Sequence, residues 1–183
     1  MTIGNNGAGT VNINAGASWV ISGGGGLGFG DKSNGRGQAT ISGASASLTN
    51  TGTRGTLIGN AGIGSLTISN GATANLGGWG AKLGGAATGN GTMAVSGAGS
   101  SLQIGGGTIT IGDAGTGTVN VNAGGMWGST GRTRLILGNQ KDSNGIVMVS
   151  GASSSFSFTG TNRRDIGNAG AGSLSIDTGG QSI

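Results

Sequence analysis

Residues Ile58 to Ala72 read IGNAGIGSLTISNGA, and the chain repeats this phrase with small changes three more times. The other copies are IGNNGAGTVNINAGA from Ile3, IGDAGTGTVNVNAGG from Ile111 and IGNAGAGSLSIDTGG from Ile166. A second family lies between them: ATISGASASL from Ala39, MAVSGAGSSL from Met93 and VMVSGASSSF from Val147. Both families follow one pattern. An apolar residue precedes a glycine, a glycine-rich turn follows, and two apolar residues then flank a single residue. The second apolar residue of that pair falls at Ile13, Ile41, Ile68, Val95, Val121, Val149 and Ile176. Seven copies at a period of about 27 residues mark a stacked repeat protein.

The first member of the pair is Val11, Ala39, Leu66, Met93, Val119, Val147 or Leu174. A spacing of two is the strand period, with both residues on one face. Between them stand Asn12, Thr40, Thr67, Ala94, Asn120, Met148 and Ser175, mostly small and polar, as an outer face requires. Helix is rejected, since interior glycine costs about 1 kcal/mol relative to alanine. A first strand ends at the apolar residue before each opening glycine: Ile3, Phe29, Ile58, Leu83, Ile111, Leu137 and Ile166. A third, weaker strand is expected to begin at Val20, Leu48, Ala74, Leu102, Trp127, Phe156 and Ile183.

No single unit can bury so few side chains. Stacked at a spacing of ~4.8 Å, like positions form continuous ladders and each strand pairs with the coils on either side. The sequence therefore predicts an all-β fold, a right-handed parallel β-helix (β-solenoid) of about seven coils of ~27 residues, with three short strands per coil. One domain covers residues 1–183, with an axial length of roughly 34 Å. The opening glycines would supply positive φ at a corner. Asn5, Asp31, Asn60, Gly85, Asp113, Asn139 and Asn168 follow them, types that tolerate the left-handed region and bond their own turn. A vertical Asn/Asp ladder on that corner is expected, with a structural role.

Composition agrees and removes most chemistry. Glycine fills 47 of 183 positions, and proline, cysteine and histidine are absent. Glutamate is absent too, and the acids are five aspartates. Without imidazole, thiolate or a Ser-His-Asp relay the usual nucleophilic and acid–base schemes lack their parts. His/Cys zinc sites are impossible. Charged residues are only 8% of the chain and the net charge is +4, so charge-driven disorder is excluded. No apolar run approaches the ~20 residues of a membrane span, and the N-terminus carries no signal-peptide pattern.

The alternation of IGNAGxGSLTISNGA with SGAxSSL resembles the passenger repeats of type V secretion (autotransporter) proteins, a repeat class shared with exosortase-sorted bacterial surface proteins. The resemblance covers essentially the whole chain. It implies a β-helical passenger exported across the outer membrane and held at the bacterial surface or outside the cell, acting in adhesion, aggregation or biofilm formation. The family's signal peptide and C-terminal barrel are not in this sequence, which starts and stops inside a unit; a fragment of a longer passenger is expected.

Arg132, Arg134, Arg163 and Arg164 form the only basic concentration, with Arg134 and Arg163 in one column of successive coils. Stacked like charges repel and could receive an anion such as a lipopolysaccharide phosphate or acidic glycan; with Asp165 nearby and water around them, a solvated face is the favoured account. Trp19 and Trp127 sit six residues after Ile13 and Val121. Facing outward they would stack on sugar rings; facing inward they would fill the core. Trp79 lies in another register. GGGGLGFG, Gly23–Gly30, lacks the helix and GK[ST] of a phosphate loop. The aspartates do not follow the nine-residue period of calcium repeats. Thr108-Ile109-Thr110 alone has the form of an ice-binding ladder. Enzyme action is not expected, the aspartates forming no obvious pair, and neither are cofactor, metal, nucleic-acid binding or membrane insertion. The predicted role is a rigid rod displaying loops to a host or bacterial glycan or protein receptor. The alternatives are a filament module associating end to end through uncapped coils, or a glycan-binding or polysaccharide-acting β-helix.

Overall fold

The computed structural model describes residues 1–77, 79–158 and 163–182. Every regular element among them is a β-strand, and every strand pairing is parallel. The chain winds as a β-solenoid of seven coils, like residue over like residue. The second-strand ladder runs unbroken from Ala8–Ile13 through Arg36–Ser42, Ile63–Ser69, Asn90–Ser96, Thr116–Asn122 and Asn144–Ser150 to Ala171–Asp177. In it Ile13, Ile41, Ile68, Val95, Val121, Val149 and Ile176 form one file, and Val11 to Leu174 form the next. The first-strand ladder aligns Ile3, Phe29, Ile58, Leu83, Ile111, Leu137 and Ile166. Both follow the predicted columns residue for residue.

The third ladder corrects the prediction at its ends. Trp19, not Val20, pairs with Leu48, and Val20 points outward. At the other end Phe156 pairs with Ser182, while the predicted Ile183 lies outside the described residues. The cause is a corner that alternates in length. Between the second and third ladders it takes six residues in the first, third, fifth and seventh coils (Ile13 to Trp19) and seven in the others (Ile41 to Leu48). The corner between the first and second ladders alternates with it, shorter from Gly59 to Gly64 and longer from Gly84 to Gly91. The structural repeat is thus a pair of coils. The third corner also varies: Ser101–Ile111 and Met126–Leu137 pass straight through it as single strands, joining the first and third ladders into one 12-stranded sheet.

All seven opening glycines have positive φ, between 62° and 72°. Asn5, Asp31, Asn60, Asp113, Asn139 and Asn168 do not, so the glycine alone takes the left-handed turn, contrary to the expectation for the residue after it. Its amide then bonds the preceding coil: Gly59 N–H donates to Phe29 O at 2.7 Å and Gly84 N–H to Ile58 O at 3.0 Å. The side chains after it climb the stack rather than bonding their own turns. Asn60 Nδ2 donates to Asp31 Oδ1 at 2.9 Å, Asn139 Nδ2 to Asp113 Oδ1 at 2.6 Å and Asn168 Nδ2 to Asn139 Oδ1 at 3.1 Å. The Asn/Asp ladder is present, interrupted at Gly85.

A second glycine file was not predicted. Gly9, Gly37, Gly64, Gly91, Gly117, Gly145 and Gly172 stack in register at the inward face of the second ladder. There the backbone lies directly on the opening corner of the same coil, leaving no room for a Cβ. Elsewhere the core is filled by the stacked aliphatic files and, towards the C-terminal end, by Trp127, Phe156 and Phe158, whose ring centroids are 4.7–5.6 Å apart.

Candidate functional site

Trp79 occupies the corner just before the strand Gly80–Leu83. Its side chain is in solvent, 63% exposed. The register that sets Gly80 against Thr108 places Gly107 beside Trp79 in the next coil, where a Cβ would come within 2.7 Å of the Trp79 carbonyl carbon. The adjacent coil therefore presents no side chain at that point. Next to Trp79 a cleft of about 430 Å³ opens on the outer face of the first ladder, reaching from coil three to coil six. Trp79, Lys82, Thr108, Asp113, Arg134 and Asn139 line it. The ladder registers place them: Gly80 aligns with Thr108 and Arg134, and Lys82 aligns with Thr110 and Ile136.

Lys82 Nζ reaches into the next coil and meets Asp113 Oδ2 at 2.6 Å. Burial pushes the Asp113 carboxyl up, but hydrogen bonds from Lys82, Asn139 and Gln140, with the Lys82 charge, outweigh it and hold the pKa below the ordinary value. On the adjoining column Arg134 donates from Nε (3.0 Å) and Nη2 (2.7 Å) to Asp165 Oδ2. Arg163 Nε donates to the other oxygen, Oδ1. The Arg134 hydrogen bonds are the largest influence on Asp165; with the Arg163 bond and both charges they overcome burial, and this carboxyl too is held low.

Arg134 and Arg163 thus share a column as predicted, but the carboxylate between them joins two charges that were expected to repel. Arg164 Nη2 donates to Phe158 O at 2.9 Å, with its guanidinium 5.8 Å from the Phe158 ring centroid. Arg132 is exposed. Three of the four guanidinium groups therefore face protein partners, and the cluster is an internally paired network. Trp127 is 0% exposed and packs against Phe156 and Phe158. It is a core residue and offers no face to a sugar, which corrects the outward reading. Trp19, in the same column, is partly buried against the core of the first coil.

Trp79 was set aside because it falls outside the repeat register. That misfit was itself the available signal. A large apolar residue on an inward column is absorbed by the core, whereas one at a corner between glycines has nothing to pack on. Lys82 and Asp113 carried no such mark, since they meet only through the coil stacking.

No protein-family model matches the chain, and no curated protein or solved structure shows significant similarity to it.

Proposed function

We propose that this chain is a structural and adhesive segment of a bacterial cell-surface passenger of the autotransporter type, exported across the outer membrane. It acts as a rigid rod that displays its corners to a glycan or protein receptor. The observation that carries this reading is the continuity of the ladders: at each coil junction the first- and second-ladder columns stay in register. A stack with shared hydrogen bonds at each step resists bending and transmits force along its axis. The longer corners of alternate coils, around Lys32, Thr88 and Lys141, project as display loops while the strands hold spacing.

This reading assigns no acid catalysis to Asp113 or Asp165: a general acid requires a raised pKa, whereas both are held low by basic and amide partners.

The test is antibody labelling of the native bacterium with serum raised against the 183-residue chain. Intact cells should label as strongly as permeabilised cells. Labelling that appears only after permeabilisation overturns the surface assignment.

A further inference from the structure

We infer that the cleft beside Trp79 binds a neutral oligosaccharide, with Trp79 as the stacking platform and Lys82, Thr108 and Asn139 as the groups that hold its hydroxyls. This inference rests on the adhesive reading above and gives it a place on the rod. Trp79 is 63% exposed at its corner, so most of its surface meets solvent. Its ring presents a broad apolar face with a negative quadrupole. The C–H face of a pyranose, apolar and weakly positive, complements that surface. The cleft volume of about 430 Å³ falls within the usual range for ligand sites. It spans four consecutive coils, on the order of 14 Å at the strand spacing, which suits a short linear oligosaccharide lying along the rod axis.

The polar lining determines which class of glycan fits. A sugar hydroxyl both donates and accepts, so it matches a site that presents acceptors beside donors. Thr108 supplies an exposed hydroxyl that donates and accepts, while Lys82, Asn139 and Arg134 supply donors at the same wall, held there by the buried Asp113 and Asp165 carboxylates. An anionic glycan fits poorly. Asp113 is ionised and would repel it, Lys82 is already paired with Asp113, and Arg134 is paired with Asp165. Lys82 and Asp113 cancel, and the one net positive charge of the Arg134–Asp165–Arg163 group is already held in ion pairs, so desolvating a sulfate or carboxylate beside the ionised Asp113 gains little.

The experiment is a glycan array on the purified 183-residue chain, carrying neutral and acidic oligosaccharides, followed by calorimetric titration of the strongest neutral hit. Wild type should retain neutral glycans. Trp79→Ala should weaken binding about tenfold or more, as loss of a stacking face does. Trp79→Phe should recover part of it, and Thr108→Val should weaken it through the lost hydroxyl contact. Trp79 is exposed, so the melting temperature of Trp79→Ala should match wild type, which separates lost binding from lost fold. Binding unaffected by Trp79→Ala, retention of acidic glycans alone, or no retained glycan overturns the inference. Each of these leaves the surface rod to stand or fall on the cell-labelling result.

Discussion

Gly64 lies so close against Gly59 that a Cβ on Gly64 would overlap the Gly59 amide nitrogen, which itself donates to the preceding coil. The same contact recurs between Gly145 and Gly138 and between Gly172 and Gly167. The obstructing atoms are backbone, so no side chain can move aside. Gly64→Ala should therefore destabilise the protein on the order of 3 kcal/mol, the upper end of overpacking penalties. Gly7→Ala is the control. Nothing lies within 4 Å of its Cβ position and its φ is not positive, so the change should be neutral or stabilising by about 0.5 kcal/mol. Urea unfolding of both variants checks the pair.

The two tryptophans on which a sugar-binding reading could rest divide sharply in stability. Trp127 is fully enclosed with Phe156 and Phe158, and Trp127→Ala should cost about 3–5 kcal/mol. Trp79→Ala should change stability by no more than about 0.5 kcal/mol. Thermal unfolding of the two variants side by side measures this. A large loss for Trp79→Ala would place it in the core.

The ladders were readable because a strand has a period of two and the repeat supplied seven aligned examples, so one-residue slips were visible as broken columns. The third ladder slipped at Trp19 because its corner alternates between two lengths, and Val20 is as apolar as the residue it displaced. The opening glycines were legible as left-handed corners, whereas the Gly9–Gly172 file looked like ordinary strand glycine. Its purpose appears only when the strand is seen lying on its own corner. The arginine column was correct in register. What the sequence could not weigh was geometry, with Asp165 reaching Arg134 across a coil junction and leaving a paired network rather than an open cationic face.

That network predicts a modest response to polyanions. Arg134→Ala/Arg163→Ala should elute from heparin with the same small shift as Lys32→Ala/Lys141→Ala, which removes equal charge from the display loops. A distinctly larger shift for the arginine pair would restore an anion-binding surface there.

Asp113 and Asp165 set an acid limit on stability. Both have folded pKa values below the ordinary 3.8, so near that pH the unfolded chain binds more protons than the folded one. Their contribution is complete above the unfolded value and is lost as pH falls through the lowered folded values. The melting temperature should stay level from about pH 7 to pH 5 and then drop below about pH 4. Asp113→Asn should show a shallower drop over the same range. An equal drop in the variant would mean that the Lys82–Asp113 pair does not contribute.

The alternating corners make the strongest claim about how the rod is assembled. Each junction joins two different corner forms: Gly71 N–H donates to Ser100 Oγ at 3.0 Å, and two coils later Gly124 N–H donates to Ser154 Oγ at 3.0 Å. In the other direction Gly43 N–H donates to Ser69 O at 3.1 Å, and Gly97 N–H to Asn122 O at 3.3 Å. Removing residues 59–111 joins Ile58 to Gly112 and deletes one full pair, leaving the alternation intact. Removing residues 59–83 joins Ile58 to Gly84 and sets two long-corner coils against each other. Both deletions preserve the inward apolar columns, so hydrophobic stacking alone predicts that both fold. Corner matching predicts that the two-coil deletion unfolds cooperatively near the parent temperature, while the longer protein with the single-coil deletion melts earlier. Circular dichroism melts of the two proteins decide between them, and equal melting temperatures would show that the backbone files, not the corners, dictate which coil follows which.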